Sequence, residues 1–528
     1  MTARVLTGSK QETMNIISRR GFLARASSAA VVLACTRFSS AQTNSDIVVN
    51  TPSGKLRGVL INGLRVFRGV PFAQPPVGGL RFRPPVKIQP WTDVRDATQY
   101  APAAEQGGDE KRPTGEDCLY LNIWAPKAAG PFPVYVWIHG GGLTGGTASE
   151  PMFNGTTFAY HNILQVNIAY RLGALGFLDV SPMLGKQYDG SANNGLADLV
   201  MALQWIHENI AAFGGDPSRV TIGGESAGAK LVCTLMGTPA AQPFFQQAVS
   251  ESGGAERVAT ASEAVAVGNG FAEDWRQIHG GAEADIRTAP AGEIIKAQEL
   301  FLSHWPLHFP FRPEIDAATL PQAPLQAIAA GSTKNKRLLI GTNREESALF
   351  IGAHPANDPT AKDVATMPLE AFLHIYARYK ELYPEMTDEQ RRVRALSAEE
   401  YWAPSISVTD EHVRAGGSAW VYMLTFAESG GKFKGNAFHS LDLRLVFERP
   451  NAKISNTSEE AALGKQMHAA WIAFIRGQTP AATGLPIWPA YNLQERPTMV
   501  LDSQSQVVQK PYQAELDLWR SPRQLADP

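Results

Sequence analysis

The chain has 528 residues, of which 44% are hydrophobic and 19% are charged, with 47 glycines and 36 prolines. This hydrophobic share is that of a globular protein and excludes a disordered chain. A core of this size needs no disulfide or metal ion to fold, and three cysteines cannot form a disulfide framework. The formal net charge of −2 provides no basic field for a nucleic-acid partner.

The positive charge is concentrated at the start of the chain. Residues 1–41 hold six of the 48 Lys and Arg but only one of the 50 Asp and Glu, so the remainder carries a net charge of −7. The segment 18–23, Ser-Arg-Arg-Gly-Phe-Leu, precedes an apolar run at 26–34 and resembles a twin-arginine export signal. We therefore expect a signal peptide at 1–41 and a single exported domain at 42–528, periplasmic or secreted.

Two details of this leader have alternatives. Met14 lies just before the arginine pair and is a second candidate start beside Met1. Small residues ending at Ala41 offer a cleavage site, while Cys35 weakly resembles a lipoprotein attachment site and ranks second. The apolar run is far shorter than the roughly 20 residues that a membrane helix needs, so we expect no membrane span.

Further along, apolar runs alternate with helical patterns. Continuous apolar runs predict strands that are covered on both faces, as in a parallel sheet. The runs lie at 134–138, 163–170, 219–222, 337–341 and 419–426. A helix is predicted between the second and third runs, because apolar residues recur there every three or four positions from Leu196 to Phe213.

These elements predict the α/β class, with one largely parallel central sheet flanked by helices. The first part of the domain, 47–91, is rich in glycine, proline and turns. It predicts antiparallel hairpins added to the edge of that sheet.

The sharpest motif is Gly-Glu-Ser-Ala-Gly at 224–228, directly after the strand at 219–222 and before a helix-compatible run at 229–236. In this context a G-x-S-x-G sequence indicates a strained strand-to-helix turn that exposes a nucleophilic serine, Ser226. The small residues around the serine are what such a turn requires. The alternative is an ordinary glycine-rich turn.

A second glycine motif follows the strand at 134–138. His-Gly-Gly-Gly at 139–142 leaves backbone N–H groups unobstructed for a substrate. Acyl transfer needs such donors where the carbonyl oxygen becomes an anion, and we expect them to be Gly141, Gly142 and Ala227. His139 is interpreted as a structural residue of the loop. The alternative for the motif is a flexible glycine loop.

Together with four further segments, these motifs resemble the type-B carboxylesterases, the family of cholinesterases and bacterial p-nitrobenzyl esterases. The additional segments lie at 67–78, 116–123, 170–173 and 213–217. The resemblance implies an α/β-hydrolase fold with N-terminal antiparallel edge strands. It also implies hydrolysis of small-molecule carboxylic esters through an acyl-enzyme on Ser226, without a metal ion or organic cofactor.

The family completes its catalytic triad with a glutamate and then a histidine. The segment 341–347, Gly-Thr-Asn-Arg-Glu-Glu-Ser, is similar to the acidic motif and puts Glu346 at the catalytic position. Glu345 and Ser347 depart from the usual Asp and Gly, which leaves Glu345 as the alternative. A surface acid is the other interpretation of either glutamate.

The histidine motif of the family is similar to 438–443, Phe-His-Ser-Leu-Asp-Leu, which identifies His439. By resemblance, His439 takes the proton of Ser226 and later returns it to the leaving alcohol, while Glu346 orients the imidazole. Ser252 resembles the family's secondary serine near the histidine. A plain turn residue is the alternative for Ser252.

Two departures from the family bear on the substrate. The upstream cysteine that often pairs with the one at Cys118 is missing, so we predict free thiols at Cys118 and at Cys233, which is interpreted as a core residue. The loop at 106–118 is short and lacks an aromatic residue. We therefore expect neither a choline esterase nor an interfacial lipase.

Two other functions compete with this interpretation. A catalytically silent binding or adhesion protein could share the fold, although such members typically lose the serine. An amidase or peptidase could use the same triad. The sequence does not distinguish an oligomeric state or the natural ester.

Overall fold

The computed structural model of the protein describes residues 46–523, apart from 109, 111, 283 and 449–456. The predicted signal peptide at 1–41, with both candidate starts and Cys35, lies outside the described residues. Within the described ranges, no helix is both long enough and apolar enough to cross a membrane.

One large sheet forms the centre of the protein, and a two-stranded sheet accompanies it. The strands are β1 (Asp46–Thr51), β2 (Gly54–Ile61), β3 (Leu64–Pro71), β4 (Val94–Asp96), β5 (Ala103–Ala104), β6 (Thr114–Gly115), β7 (Tyr120–Ala125), β8 (Phe132–Ile138), β9 (Leu164–Ile168), β10 (Gly215–Glu225), β11 (Gln247–Glu251), β12 (Arg337–Asn343), β13 (Ser418–Leu424), β14 (Thr498–Leu501) and β15 (Gln506–Val508).

The large sheet has the order β1-β2-β3-β7-β9-β8-β10-β11-β12-β13-β14-β15, and β4 pairs with β2. From β9 to β14 neighbouring strands are parallel, whereas the other neighbours in this order are antiparallel. The short strand β4 runs parallel to β2. The predicted α/β class and mostly parallel sheet are therefore confirmed, and each predicted apolar run lies on a strand.

The helices flank this sheet. They are α1 (Thr156–Tyr160), α2 (Gly173–Phe177), α3 (Ser181–Leu184), α4 (Asn194–Asn209), α5 (Ala227–Gly237), α6 (Ala261–Ile278), α7 (Ala291–His304), α8 (Pro324–Ala329), α9 (Ala348–Ile351), α10 (Leu369–Tyr376), α11 (Tyr379–Leu382), α12 (Asp388–Ser397), α13 (Ala403–Arg414), α14 (Leu441–Val446), α15 (Ser458–Ile475) and α16 (Gln513–Arg523). A π-helical turn, Ala398–Trp402, joins α12 to α13.

The helix predicted from Leu196 to Phe213 is α4 followed by a 3-10 turn, Ile210–Phe213. It ends at Gly214, whose φ of 84° is in the left-handed region that suits glycine at a helix C-terminus. Here the apolar periodicity and the glycine stop signal together predicted both ends of the helix within a few residues.

The alternation of side chains along β8 divides the core into two layers. Val134 and Val136 pack with the buried residues of α4 and α5 on one face. Tyr135 and Trp137 pack with those of α14 and α15 on the other. Because successive side chains of a strand point to opposite faces, a run without polar residues is needed where both faces are covered.

The prediction for the N-terminal segment was correct over 46–71 and wrong beyond it. β1, β2 and β3 form the expected antiparallel edge. The stretch 72–91 contains no strand, and within it Ala73 and Lys87 form an isolated antiparallel bridge. The prolines of this stretch lack N–H donors for a strand ladder, which explains why the pairing of its two arms does not extend into regular strands.

Candidate active site

Ser226 lies at the turn between β10 and α5. Its φ of 57° and ψ of −126° are strained for a residue other than glycine. A Cβ on Gly224 would lie 2.6 Å from the backbone of Gly228, and a Cβ on Gly228 would lie 2.1 Å from the carbonyl oxygen of Ile138. Both glycines are therefore required by close backbone contacts, and the turn has the geometry that the motif predicted.

The strand ends bring the predicted site residues to one edge of the sheet. Glu225, the last residue of β10, is in register with Glu251 of β11, which pairs in turn with Gly341 of β12. The backbone N–H of Ser226 donates to the carbonyl of Glu251 over 2.9 Å. Carboxyl ends of parallel strands are where sites in open α/β sheets form.

His439 approaches this edge from the loop before α14. Its Nδ1 lies 2.5 Å from Oε2 of Glu346, and both side chains are buried. Its Nε2 lies 3.2 Å from Oε1 of Glu225, the residue before Ser226. The imidazole thus has one nitrogen on Glu346 and the other directed at the Ser226 turn. The Ser226 hydroxyl itself makes no hydrogen bond to another described residue.

The two adjacent glutamates have different environments. Glu346 is fully buried, and its Oε1 accepts from the backbone N–H of Asn343 over 2.7 Å. Glu345 pairs with Arg344 and accepts from the backbone N–H of Ala437. Of the two candidates, Glu346 is therefore the one that the structure brings to His439.

Ser252 follows β11 just as Ser226 follows β10. It is buried with a left-handed φ of 59°, and its hydroxyl donates to Oε1 of Glu346 over 2.5 Å. Its backbone N–H donates to the carbonyl of Gly341. Ser252 thus positions the carboxylate of Glu346, which in turn contacts the imidazole of His439. Ser252 therefore has a contact in the site that the plain-turn interpretation does not include.

The glycine loop at 139–142 passes beside Ser226. A Cβ on Gly140 would lie 3.1 Å from Cβ of Ser226. Gly141 and Gly142 have φ values of 109° and 65°, and within the described residues their N–H groups make no hydrogen bond. Ala227 is the first residue of α5, whose N–H has no helical partner. The N–H groups of Gly141, Gly142 and Ala227 are therefore available as donors close to the Ser226 side chain.

Comparison with protein families matches residues 45–519 to the carboxylesterase family. The chain belongs to the carboxylesterase family. Together with the parallel sheet described above, this membership confirms the α/β-hydrolase fold and makes the protein a serine hydrolase of carboxylic esters.

The esterase is similar along most of its length to several known enzymes. It is 34% identical over 483 residues to a para-nitrobenzyl esterase of Bacillus subtilis, covering 88% of this chain and 96% of the relative. It is 32% identical to a fumonisin B1 esterase of Sphingopyxis macrogoltabida, covering 86% of each. A solved Geobacillus stearothermophilus carboxylesterase superposes with a TM-score of 0.78 at 32% identity, covering 89% and 99%.

Analysis of the sequence missed one residue of this site. Glu225 is the second residue of the serine motif, and the motif alone does not indicate where its side chain points. In the esterase it is buried, and its Oε1 also accepts a 2.5 Å hydrogen bond from the hydroxyl of Ser440. Burial raises the pKa of Glu225, an effect that His439 opposes and that Asp442 reinforces.

Charge also changes the titration of the histidine. Burial alone would lower the pKa of His439, but Glu225 and Glu346 outweigh it and raise the pKa above its ordinary value. A carboxylate within a few ångströms favours the imidazolium form, which is the form that a histidine reaches after accepting a proton.

Two aromatic rings enclose the imidazole. The ring of Tyr401, on the π-helical turn, lies 4.9 Å from that of His439, and the ring of Phe350 lies 5.1 Å from it. Tyr401 is buried, whereas Phe350 is 48% exposed. An exposed aromatic side chain, Phe350, therefore lies beside the imidazole of His439.

His139 of the glycine loop has the contacts of a structural residue. Its ring stacks on Tyr170 with centroids 4.6 Å apart, and the Tyr170 hydroxyl donates to the carbonyl of His139 over 2.7 Å. Burial lowers the pKa of His139 to about 4, so the ring is neutral at physiological pH. It anchors the glycine loop to Tyr170, two residues after the end of β9.

Two of the three cysteines lie within the described residues. Cys118 and Cys233 are both buried and free. Among the residues that the structure describes, no cluster of three His, Cys, Asp or Glu could hold a metal ion.

Proposed function

We propose that Ser226, His439 and Glu346 form the catalytic triad of this esterase. The observation that carries the proposal is the single imidazole of His439, with Nδ1 on the buried Glu346 and Nε2 directed at the turn that presents Ser226. A nucleophile, a base and a residue that orients the base are the three parts that serine catalysis needs.

In the first half of the reaction, the Ser226 oxygen attacks the carbonyl carbon of the ester and its proton passes to Nε2 of His439. Glu346 holds the Nδ1–H and stabilises the imidazolium. The ester C–O bond then breaks, and His439 gives the proton to the leaving alcohol oxygen. The product of this half is an acyl group on Ser226 and a free alcohol.

The second half repeats these steps with water. His439 takes a proton from water, the hydroxide oxygen attacks the acyl carbon, and the proton returns to the Ser226 oxygen as the carboxylic acid leaves. In both halves the carbonyl oxygen becomes an anion, which the N–H groups of Gly141, Gly142 and Ala227 would stabilise. Their freedom from other hydrogen bonds supports this assignment.

We further propose that the substrates are soluble esters of moderate size. The loop at 106–118 contains no aromatic residue that could receive a quaternary ammonium group. The exposed side chain of Phe350 lies beside His439. It favours esters whose alcohol part is apolar. An amide substrate would need the same triad, so esters and amides of one acid are to be compared directly.

The test is a panel of p-nitrophenyl, alkyl and aryl esters with the matching amides, assayed with the wild type and with Ser226→Ala. We expect hydrolysis of the esters by the wild type alone, with amides at least a hundred-fold slower. Equal hydrolysis by both proteins would refute the mechanism. Faster cleavage of amides would favour the peptidase alternative.

We also propose that the chain is exported through its leader at 1–41. Support comes from the arginine pair Arg19-Arg20 and the excess of positive charge before residue 42. Replacement of both arginines by lysine should retain the esterase in the cytosolic fraction. Unchanged export of that variant would contradict a twin-arginine route, and radiolabelled lipid on Cys35 would indicate the lipoprotein alternative.

A further inference from the structure

The glycine loop at 139–142 continues into a tight turn that ends at Gly146. The carbonyl oxygen of Gly141 accepts from the backbone N–H groups of Thr144 and Gly145 over 3.2 and 3.0 Å. Gly141 and Gly146 have φ values of 109° and 103°, which suit glycine. Because glycine has more backbone freedom than any other residue, this turn needs contacts from elsewhere in the chain to keep one shape.

The end of the turn lies against the residues that carry the proposed oxyanion donors. A Cβ on Gly141 would lie 2.2 Å from the carbonyl oxygen of Gly145 and 3.1 Å from the backbone nitrogen of Gly146. A Cβ on Gly146 would lie 2.4 Å from the carbonyl oxygen of Gly140. Since these backbones are in contact, a displacement of Gly146 is transmitted to Gly141.

The side chain of Gln106 binds both backbone groups of Gly146. Its Oε1 accepts from the N–H of Gly146 over 2.9 Å, and its Nε2 donates to the carbonyl of Gly146 over 3.0 Å. Nε2 also donates to the carbonyl of Ala104 over 3.0 Å. The amide thus uses its acceptor and both of its N–H donors, which fixes the position of Gly146 relative to Ala104.

The short two-stranded sheet holds Gln106 in place. β5 and β6 pair in parallel, and Ala104 is the last residue of β5. The hydroxyl of Thr114, on β6, donates to Oε2 of Glu105 over 3.0 Å. The thiol of Cys118 is free. Hydrogen bonds, rather than a disulfide at Cys118, therefore support the segment that carries Gln106.

We propose that Gln106 is a positioning residue for the oxyanion donors: by binding Gly146, it keeps the N–H groups of Gly141 and Gly142 directed at the carbonyl oxygen that becomes an anion. The inference rests on the proposed function, in which these groups stabilise the tetrahedral intermediate. Because the anion forms only when Ser226 attacks, loss of Gln106 weakens the transition state and leaves unchanged the affinity for a ligand that does not react with Ser226.

The experiment compares turnover with the binding of two ketones. The Ser226 oxygen adds to the carbonyl carbon of 2,2,2-trifluoroacetophenone and its proton passes to His439, which leaves an anionic oxygen at the glycine loop. Acetophenone has the same shape and does not form this adduct. Gln106→Met keeps the length of the side chain without either bond to Gly146. We expect kcat/KM for p-nitrophenyl acetate to fall about ten-fold and the inhibition constant of the trifluoroketone to rise by about the same factor.

Two further variants separate this effect from a general loss of stability. Gln106→Glu keeps the acceptor for the N–H of Gly146 but not the donor to its carbonyl, and should show a smaller change of the same kind. It decides the question if the methionine variant does not fold. The control Gln242→Met removes a glutamine beyond the end of α5 that is remote from Ser226, and should change neither constant. Gln242 likewise donates to backbone carbonyls, those of Leu235, Met236 and Thr238.

The outcomes distinguish the inference from the proposed function. An unchanged inhibition constant of the trifluoroketone in Gln106→Met would overturn the inference, and so would an equal rise for acetophenone. A displaced acid limb of the pH profile in that variant would assign its effect to His439 and would also overturn it. If the wild type and Ser226→Ala bind the trifluoroketone equally, the ketone does not add to Ser226 and the proposed function itself is wrong.

Discussion

Oε1 of Glu225 lies 3.2 Å from Nε2 of His439, so the residue before Ser226 contacts the nitrogen that accepts the serine proton in the proposed mechanism. The carboxylate is on the same strand end as Ser226, and the hydroxyl of Ser440 fixes its position from the histidine loop. The imidazole consequently lies between two buried carboxylates, Glu225 and Glu346.

This arrangement predicts the pH dependence of the enzyme. His439 acts as a base only when neutral, so kcat/KM falls as the pH drops through its pKa, which Glu225 and Glu346 raise. Glu225→Gln removes one of the two charges and lowers that pKa. We expect the acid limb of the pH profile to move to lower pH by about one unit. An unmoved limb, or one displaced to higher pH, would contradict the role of Glu225.

The adjacent glutamates provide a matched pair of variants. Glu346→Gln should lower kcat about 10⁴-fold, because an amide does not hold the imidazole in the required tautomer. Glu345→Gln changes a residue that pairs with Arg344 and should lower kcat less than ten-fold. Both are measured at saturating p-nitrophenyl acetate. Similar losses in the two variants would show that the assignment of the triad acid is wrong.

The nucleophile turn predicts a strong difference between two glycines. Gly228→Ala puts a methyl group 2.1 Å from the carbonyl oxygen of Ile138, and overpacking of this kind costs about 1–3 kcal/mol or more. Gly292→Ala, near the start of α7, meets no heavy atom within 4 Å and should be neutral or slightly stabilising. Thermal unfolding followed by circular dichroism checks both. Equal melting temperatures would refute the close contact.

The thiols provide a test of the fold in solution. Burial raises the pKa of Cys233 to about 11 and that of Cys118 still higher, so neither thiol should react with a disulfide reagent in the native protein. After unfolding in guanidinium, protein that begins at residue 42 should release two equivalents of the reporter. A count of zero after unfolding would indicate an oxidised pair.

Local sequence patterns predict much of the fold but less of the proposed triad. The runs at 134–138 and 219–222 predicted strands because burial on both faces leaves no place for polar residues, and the glycines around Ser226 predicted the turn because no larger residue fits there. His439 and Glu346 required the family resemblance, since their contact joins segments that are distant in the chain.

Other features depend on packing that no local pattern records. The direction of the Glu225 side chain follows from where the loop before α14 meets the end of β10. The buried ion pair between Arg257, after β11, and Glu400 on the π-helical turn also joins segments that are distant in the chain. The stretch 72–91 forms an isolated bridge between Ala73 and Lys87 and no strand, a difference that its glycines and prolines alone do not indicate.

The most direct test of the account is covalent labelling of the nucleophile. A fluorophosphonate loses fluoride to an activated serine and leaves one phosphonyl group on its oxygen, which peptide mass spectrometry can locate. We predict a single label, on Ser226, with its rate reduced at least a thousand-fold in a His439→Ala variant. A label on another residue, or an unchanged rate in that variant, would contradict the proposed triad.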